Sequence, residues 1–332
     1  MKVSVIDLGF NSAKLVNYYV NRNNSYKAYA QKKIDVRLGS GFDKQKGLRR
    51  EAIRRTIDGL KLFKSIIDYH TIGHILPIAT SAVRDAYNKV EFLREVYVET
   101  GLRFKVLSGE EEAFYSYYGA QKYLRGTENI VYFDLGGGSL EILYSENASI
   151  KKAISIPIGT LRITQSYKKS TSQFSKDNYE SMRQYLLNSI PDRVDLGIRP
   201  QSVLVGGGGT IRTAARCDRE LKGIYPLKKV QSYKLNYGSI NSISNLLWKL
   251  KPEEITKRTE AINRNRAETI VAGLCIITTL MSKLGFEEVT VSSSGLREGI
   301  LSSFLALRNL KGDTNNEKMM MTPPILNMLQ LS

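Results

Sequence analysis

A six-residue pattern that occurs twice constrains this chain more than any other feature. Asp7-Leu8-Gly9-x-x-Ser12 and Asp134-Leu135-Gly136-x-x-Ser139 stand 127 residues apart. Each follows a short apolar run, Lys2–Ile6 or Ile130–Phe133, and precedes another, Ala13–Val20 or Leu140–Tyr144. An apolar run, a Gly turn and a second apolar run read as a β-hairpin. A short repeat period would predict a solenoid. One repeat of this size predicts two similar domains facing each other.

The turn chemistry suits phosphate. Gly lets backbone approach a ligand closely. Successive backbone N–H groups in such a turn form an anion-binding concavity, and the Ser hydroxyl adds a donor. Gly9, Asn11 and Ser12 in the first turn, and Gly136, Gly137, Gly138 and Ser139 in the second, are therefore the candidate phosphate contacts. Asp7 and Asp134, at the strand ends, are candidate ligands for a divalent metal. One Asp-Gly turn is ordinary in a structural hairpin, but two copies at one spacing predict a phosphate chain gripped from both sides.

Three further segments join them. Ser202–Val205 reads as a strand running into Gly206–Gly209, with a helix from Ile211. A helix N-terminus offers free N–H groups to an anion, which makes Gly208, Gly209 and Thr210 candidates as well. The segment does not match GxxxxGK[ST], so it is no P-loop. Ser108-Gly109-Glu110-Glu111-Glu112 opens a predicted helix, with Glu111 three residues after Ser108 as in a capping box. A solvated acidic first turn is the plainer reading, but between two phosphate loops Glu110, Glu111 and Glu112 are also candidates for a base in water attack. Glu141 lies two residues past Ser139 on the same strand face and can share a metal with Asp134. Arg84, in a turn after the predicted strand His74–Ala79, is a candidate phosphate clamp, with a surface ion pair as the plainer alternative.

Composition narrows the class. The 332 residues carry 49 Lys and Arg against 32 Asp and Glu, a formal net charge of +17. Residues 151–234 hold 16 basic against 6 acidic residues. A concentrated positive field gathers polyanions, although a solvated basic surface gives the same count. The longest apolar run, near Ile270–Met281, is too short to span a bilayer. No signal-peptide core precedes Asp7, so a cytoplasmic protein is expected. Cys217 and Cys275, without a CxxC, predict neither a disulfide framework nor a zinc site. His70 and His74 flank Gly73 in a loop and are not expected to bind metal. The 19 Tyr are scattered, so no stacking platform for nucleic acid is expected.

Taken together, the motif series resembles the exopolyphosphatase and guanosine pentaphosphate phosphohydrolase family. The matching pieces are Ile6–Ser12, Ala79–Ala86, Ser108–Ala113, Phe133–Glu141, Pro157–Arg162, Gly207–Ile211 and Ser294–Gly299. The resemblance implies a duplicated, actin-like (ribonuclease H-like) α/β fold with two domains flanking a cleft. It implies domain I over 1–122 with a returning helix at about 296–312, domain II over 123–295, and a tail over 313–332. It implies that Glu112 activates water and that Asp134 and Glu141 hold Mg²⁺, with Mn²⁺ as a substitute. Gly137, Gly138 and Ser139 would bind phosphate, with Asn11, Ser12 and Arg84 opposite. The implied reaction is release of terminal orthophosphate from inorganic polyphosphate, or hydrolysis of guanosine pentaphosphate at the same site, by a homodimer without nucleic-acid or membrane partners. A kinase of the same fold and a regulator without turnover are the more distant alternatives. The sequence departs from the family pattern at Phe10, where Ser is usual, at Leu140, where Thr is usual, and at Ser293, where Asp is common.

Overall fold

Each hairpin seeds a sheet. The computed structural model of the chain describes residues 1–42, 47–124, 127–168 and 173–311. In the first half, β1 (Lys2–Leu8), β2 (Ala13–Val20) and β3 (Tyr26–Ile34) form an antiparallel meander. The helix Arg50–Tyr69 then crosses over, and β4 (His74–Ala79) and β5 (Lys105–Val106) add in parallel. The sheet order is β3-β2-β1-β4-β5.

The second half repeats the plan. β6 (Asn129–Leu135), β7 (Leu140–Glu146) and β8 (Ser149–Ile156) form the meander. β9 (Val203–Gly208) pairs in parallel with β6, and β11 (Glu288–Val291) with β9. An extra edge strand, β10 (Lys234–Asn236), runs antiparallel to β11. The order β10-β11-β9-β6-β7-β8 contains the first sheet's order with one strand added. The two similar halves expected from the repeat, and the duplicated, actin-like α/β fold that the resemblance implies, are thus present.

Amphipathic helices cover these sheets for the expected reason. Ile53, Ile57, Leu60, Phe63 and Ile67 of the first crossover helix are all buried, at helical spacing. The helix Ile270–Leu284 is apolar on nearly every side and is buried in the second core. Cys217 and Cys275 are free, buried packing residues. Among the described residues no helix is long and apolar enough to cross a membrane.

Two helices tie the halves together. The helix Gly109–Ala120 gives Phe114 and Tyr115 to the first core, and Ala113, Tyr117 and Ala120 to a cluster with Ile130, Tyr132, Leu143 and Val205 of the second sheet. The last helix, Leu296–Lys311, leaves the second sheet and packs Leu296, Ile300, Leu301, Phe304 and Leu305 with Val3, Val5, Tyr18 and Leu76 of the first. These two helices cross without a side-chain layer between them. A Cβ on Gly119 would lie 2.0 Å from the Gly295 carbonyl oxygen, and one on Gly299 would lie 1.8 Å from that of Tyr115. The expected tail, with its Met319-Met320-Met321 run, falls outside the described residues.

Candidate active site

A cavity of about 530 Å³ opens between the halves. Both turns line it, through Gly9, Asn11 and Ser12 on one side and Gly136, Gly137 and Ser139 on the other. The turns close alike: the Gly9 amide donates to the Ser12 carbonyl, and the Gly136 amide to that of Ser139, each at 3.0 Å.

The direction of the loop amides follows from what holds their carbonyls. The Gly136 carbonyl accepts from the Thr160 amide, and the Gly137 carbonyl from those of Leu161 and Arg162. The Gly138 carbonyl accepts from Arg162 Nε at 2.8 Å. In a trans peptide the C=O and the following N–H point in opposite directions. The amides of Gly137, Gly138 and Ser139 therefore face away from the helix Thr160–Tyr167. The first loop is held the same way, with the Phe10 and Asn11 carbonyls accepting from the amides of Gly39 and Arg37. That leaves the Asn11 and Ser12 amides turned outward. Gly138 itself is covered, because Phe10 and Ser81 lie where its Cβ would be.

The acids gather between the loops. Glu112, Asp7, Asp134 and Glu141 all line the cavity. Asp134 and Glu141 are register partners across β6 and β7, so their side chains share a face. Glu112 lies in the first turn of Gly109–Ala120, is 8% exposed, and accepts from Arg84 Nη1 at 2.7 Å. Burial raises its pKa to about 7, with Asp134 and Asp7 adding to the rise and Arg84 opposing it. Burial also pushes the Glu141 carboxyl well up, reinforced by Glu112 and opposed by hydrogen bonds from Ser139 and Ser155. Asp134 is raised by burial, against the pull of Arg212. Closely set buried carboxylates of this kind are a site short of positive charge.

A divalent cation fits that donor set. Among the described residues no three Asp, Glu, His or Cys side chains form a closed cage. Asp134 and Glu141 offer an open pair instead. Mg²⁺ favours that arrangement, since it keeps several waters and takes the rest of its ligands from substrate phosphates.

Three expected site residues lie elsewhere or act differently. Glu111 does not enter the cleft. Its Oε2 accepts from the Ser108 amide at 2.9 Å, closing a capping box, and its Oε1 meets Lys105 Nζ at 2.8 Å. Adjacent helical residues point about 100° apart, so Glu111 and Glu112 cannot share one target. Arg84 holds acids and not open space. Its Nη1 also donates to the Leu107 carbonyl, and its Nη2 lies 3.9 Å from Glu141 Oε1. Thr210 is buried in the first turn of Gly209–Leu221, where its hydroxyl accepts from Arg266 Nη1 at 3.5 Å. Gly208 and Gly209 do line the cavity, and Gly208 has φ +92°, which its missing Cβ permits.

The cationic wall was not legible residue by residue. Lys14, Lys33, Arg212, Arg216, Lys228, Arg266 and Arg297 all line the cleft. Burial and the facing guanidinium groups of Arg212 and Arg216 push the Arg266 pKa down to about 10. These cations crowd one another and call for an anion. Arg212 and Arg216 sit four apart on the helix after the Gly-rich turn, a spacing that puts both on one face. Arg266 comes from the short helix Arg264–Ala267, far in sequence from Arg212 and Arg216.

The departures from the family pattern have visible places. The Phe10 ring lies under the Arg162 guanidinium at 4.8 Å and meets Phe42 edge-on. Leu140 is fully buried, and the Ser293 carbonyl accepts from Arg212 Nη1 at 3.0 Å.

Most of the chain matches known proteins. Residues 20–307 match the family model of the Ppx/GppA phosphatase family. A bifunctional 3-dehydroquinate synthase/phosphatase of Fusobacterium nucleatum is 30% identical over 300 residues, 87% of this chain and 44% of that protein. The chain thus spans less than half the length of that curated relative. The solved Aquifex aeolicus PPX-GPPA enzyme shares 29% identity at a TM-score of 0.73, over 91% of this chain and 99% of that one. An exopolyphosphatase from Cytophaga hutchinsonii shares 25% identity at a TM-score of 0.84, over 92% and 98%.

Proposed function

We propose, for a chain that belongs to the Ppx/GppA phosphatase family, that it is a metal-dependent exopolyphosphatase releasing terminal orthophosphate from linear inorganic polyphosphate. The cleft wall carries the reading. Beyond the two amide-lined loops the wall is built of Lys33, Arg212, Arg216, Lys228 and Arg266, while its apolar side chains are only Phe10, Leu135, Val230 and Leu296. A run of phosphates needs successive cations. A nucleobase needs apolar or aromatic surface, and one face of the Phe10 ring is already covered by Arg162.

In this reading the terminal phosphoryl group sits between the outward amides of the two loops. Glu112 orients a water and accepts its proton, while Arg84 fixes Glu112 Oε2. A bond forms from the water oxygen to the terminal phosphorus and the anhydride P–O bond breaks. The electron pair stays on the bridging oxygen, which leaves as the new end of the shortened chain. Arg212, Arg216 and Arg266 hold that chain and its charge. Mg²⁺, or Mn²⁺ in its place, bound at Asp134 and Glu141 supplies further charge neutralisation to the phosphate oxygens. A cytoplasmic homodimer belongs to the same reading.

Guanosine pentaphosphate ends in the same anhydride and is the second substrate to test. Two side-chain amides of the wall each have one atom engaged: Asn263 Oδ1 accepts from the Arg266 amide, and Asn265 Nδ2 donates to Asp35. The test is orthophosphate release with Mg²⁺ from long-chain polyphosphate, tripolyphosphate and guanosine pentaphosphate in parallel. The reading predicts fastest release from polyphosphate. Preference for the nucleotide overturns the substrate, and no release from any of the three overturns the activity.

A further inference from the structure

Beside the second loop the structure leaves a buried hydroxyl without a partner. Tyr132 is fully buried, and its hydroxyl has no hydrogen-bond partner among the described residues. Leaving a buried hydroxyl unpaired costs stability, so its place calls for a reason. Tyr132 and Asp134 are two apart on β6 and point to the same face of the sheet. Two glycines stand beside them. A Cβ on Gly207 would lie 2.2 Å from the Tyr132 hydroxyl and 3.4 Å from Asp134 Cγ, so the hydroxyl takes the place of that side chain. A Cβ on Gly295 would lie 3.5 Å from both the hydroxyl and Asp134 Oδ2. The phenol and the carboxylate are thus neighbours across the same two glycines without bonding each other directly. A single water would bridge two polar groups so placed. Arg297 Nε, a second buried orphan, belongs to a residue that lines the same cleft.

We infer that Tyr132 is a positioning residue for the divalent cation, its hydroxyl donating to a water held with Asp134. This rests on the proposed place of the cation at Asp134 and Glu141. Residues that hydrogen-bond the ligands of a metal orient them, and their loss typically weakens metal affinity 10–100-fold. Nothing in the proposed hydrolysis otherwise uses a phenol at this position, where a phenylalanine would fill the same space.

The test is direct Mn²⁺ binding to the full chain without substrate, followed by the EPR signal of the free ion. Wild type, Tyr132→Phe and Asp134→Asn are compared, and each is melted without metal. The inference predicts binding that Asp134→Asn abolishes and that Tyr132→Phe weakens roughly 10–100-fold. It also predicts that the metal-free Tyr132→Phe protein melts no lower than wild type, because no hydrogen bond to another residue is lost. Wild-type Mn²⁺ affinity in Tyr132→Phe, with Asp134→Asn defective, overturns the inference and leaves the metal reading standing. Binding that is indifferent to Asp134→Asn overturns the metal reading, and the inference falls with it. A metal-free Tyr132→Phe protein that melts well below wild type assigns the hydroxyl to packing and also overturns it.

Discussion

The two hairpins share their turn, their register and the way their carbonyls are held, yet they carry opposite chemistry. Asp7 pairs with Lys14 across β1 and β2, and Asp134 pairs with Glu141 across β6 and β7. Lys14 and Glu141 are as far apart in sequence as Asp7 and Asp134, so they occupy equivalent places. In the first hairpin, Lys14 Nζ lies 3.4 Å from Asp7 Oδ2. In the second, both partners are acids whose protonated forms burial favours. One hairpin carries its own counter-charge, and the other takes its positive partners from elsewhere in the chain, Arg84 beside Glu141 and Arg212 facing Asp134. The hairpins share a turn, and the residue facing the strand-end Asp, Lys14 in one and Glu141 in the other, sets them apart.

The largest effect should come from erasing that inequality. Glu141→Lys gives the second hairpin the charge pattern of the first. It should cut orthophosphate release about 10⁴-fold and abolish Mn²⁺ binding, since the charge stabilisation a metal supplies is worth several kcal/mol. A variant that keeps turnover would detach the metal from this hairpin.

Glu112→Gln leaves both hairpins intact and removes only the base between them. Turnover should fall about 10²–10⁴-fold with polyphosphate binding retained, as read by single-turnover assay and calorimetry. The same variant should melt higher than wild type at pH 8. The folded-state pKa of Glu112 is raised above its unfolded value, so its ionisation weakens folding as pH rises through that interval.

The pH profile gives the next effect. A base must be deprotonated to act, and Glu112 titrates near 7. The initial rate should therefore climb roughly tenfold from pH 6 to pH 8, and the climb should vanish in the residual activity of Glu112→Gln. Raising the metal concentration should move the rise to lower pH, because a nearby cation favours the carboxylate.

The smallest effect belongs to the neutralised hairpin. Lys14→Met removes an ion pair that is one-third exposed on the lysine side, and pairs of that kind contribute about 0–1 kcal/mol. Stability should barely move. The KM for polyphosphate should rise by roughly threefold to tenfold if the ammonium also faces the phosphate, which steady-state kinetics across chain lengths would read.

The parts legible in the sequence were those set by local chemistry. The turns were readable because Asp, Gly and Ser recur at fixed offsets, and the crossover helices because their apolar residues keep helical spacing. The Lys14–Glu141 contrast was also within reach, since a hairpin turn sets the register of both its strands. Glu111 was misleading because a capping acid and a catalytic acid look the same in a run of three, and only the helical angle between them separates the roles. Arg266 and Asn265 were out of reach. They arrive on the short helix Arg264–Ala267, at the end of a segment whose position depends on contacts far away in sequence. Tyr132 read as an ordinary strand aromatic, because nothing local announces that Gly207 and Gly295 stand beside its hydroxyl.

The glycine crossing of the two connecting helices bears on how such a cleft can breathe. With backbone against backbone at Gly119 and Gly299, no layer of side chains is available to slide. Relative movement of the halves is then a turn about that contact, like scissor blades about a rivet. Glu112 sits seven residues along the same rod, about 10 Å from the rivet, where a few degrees of swing amount to well under an ångström. In the proposed reaction Glu112 and Arg84 can thus stay assembled while the jaws part to release the product.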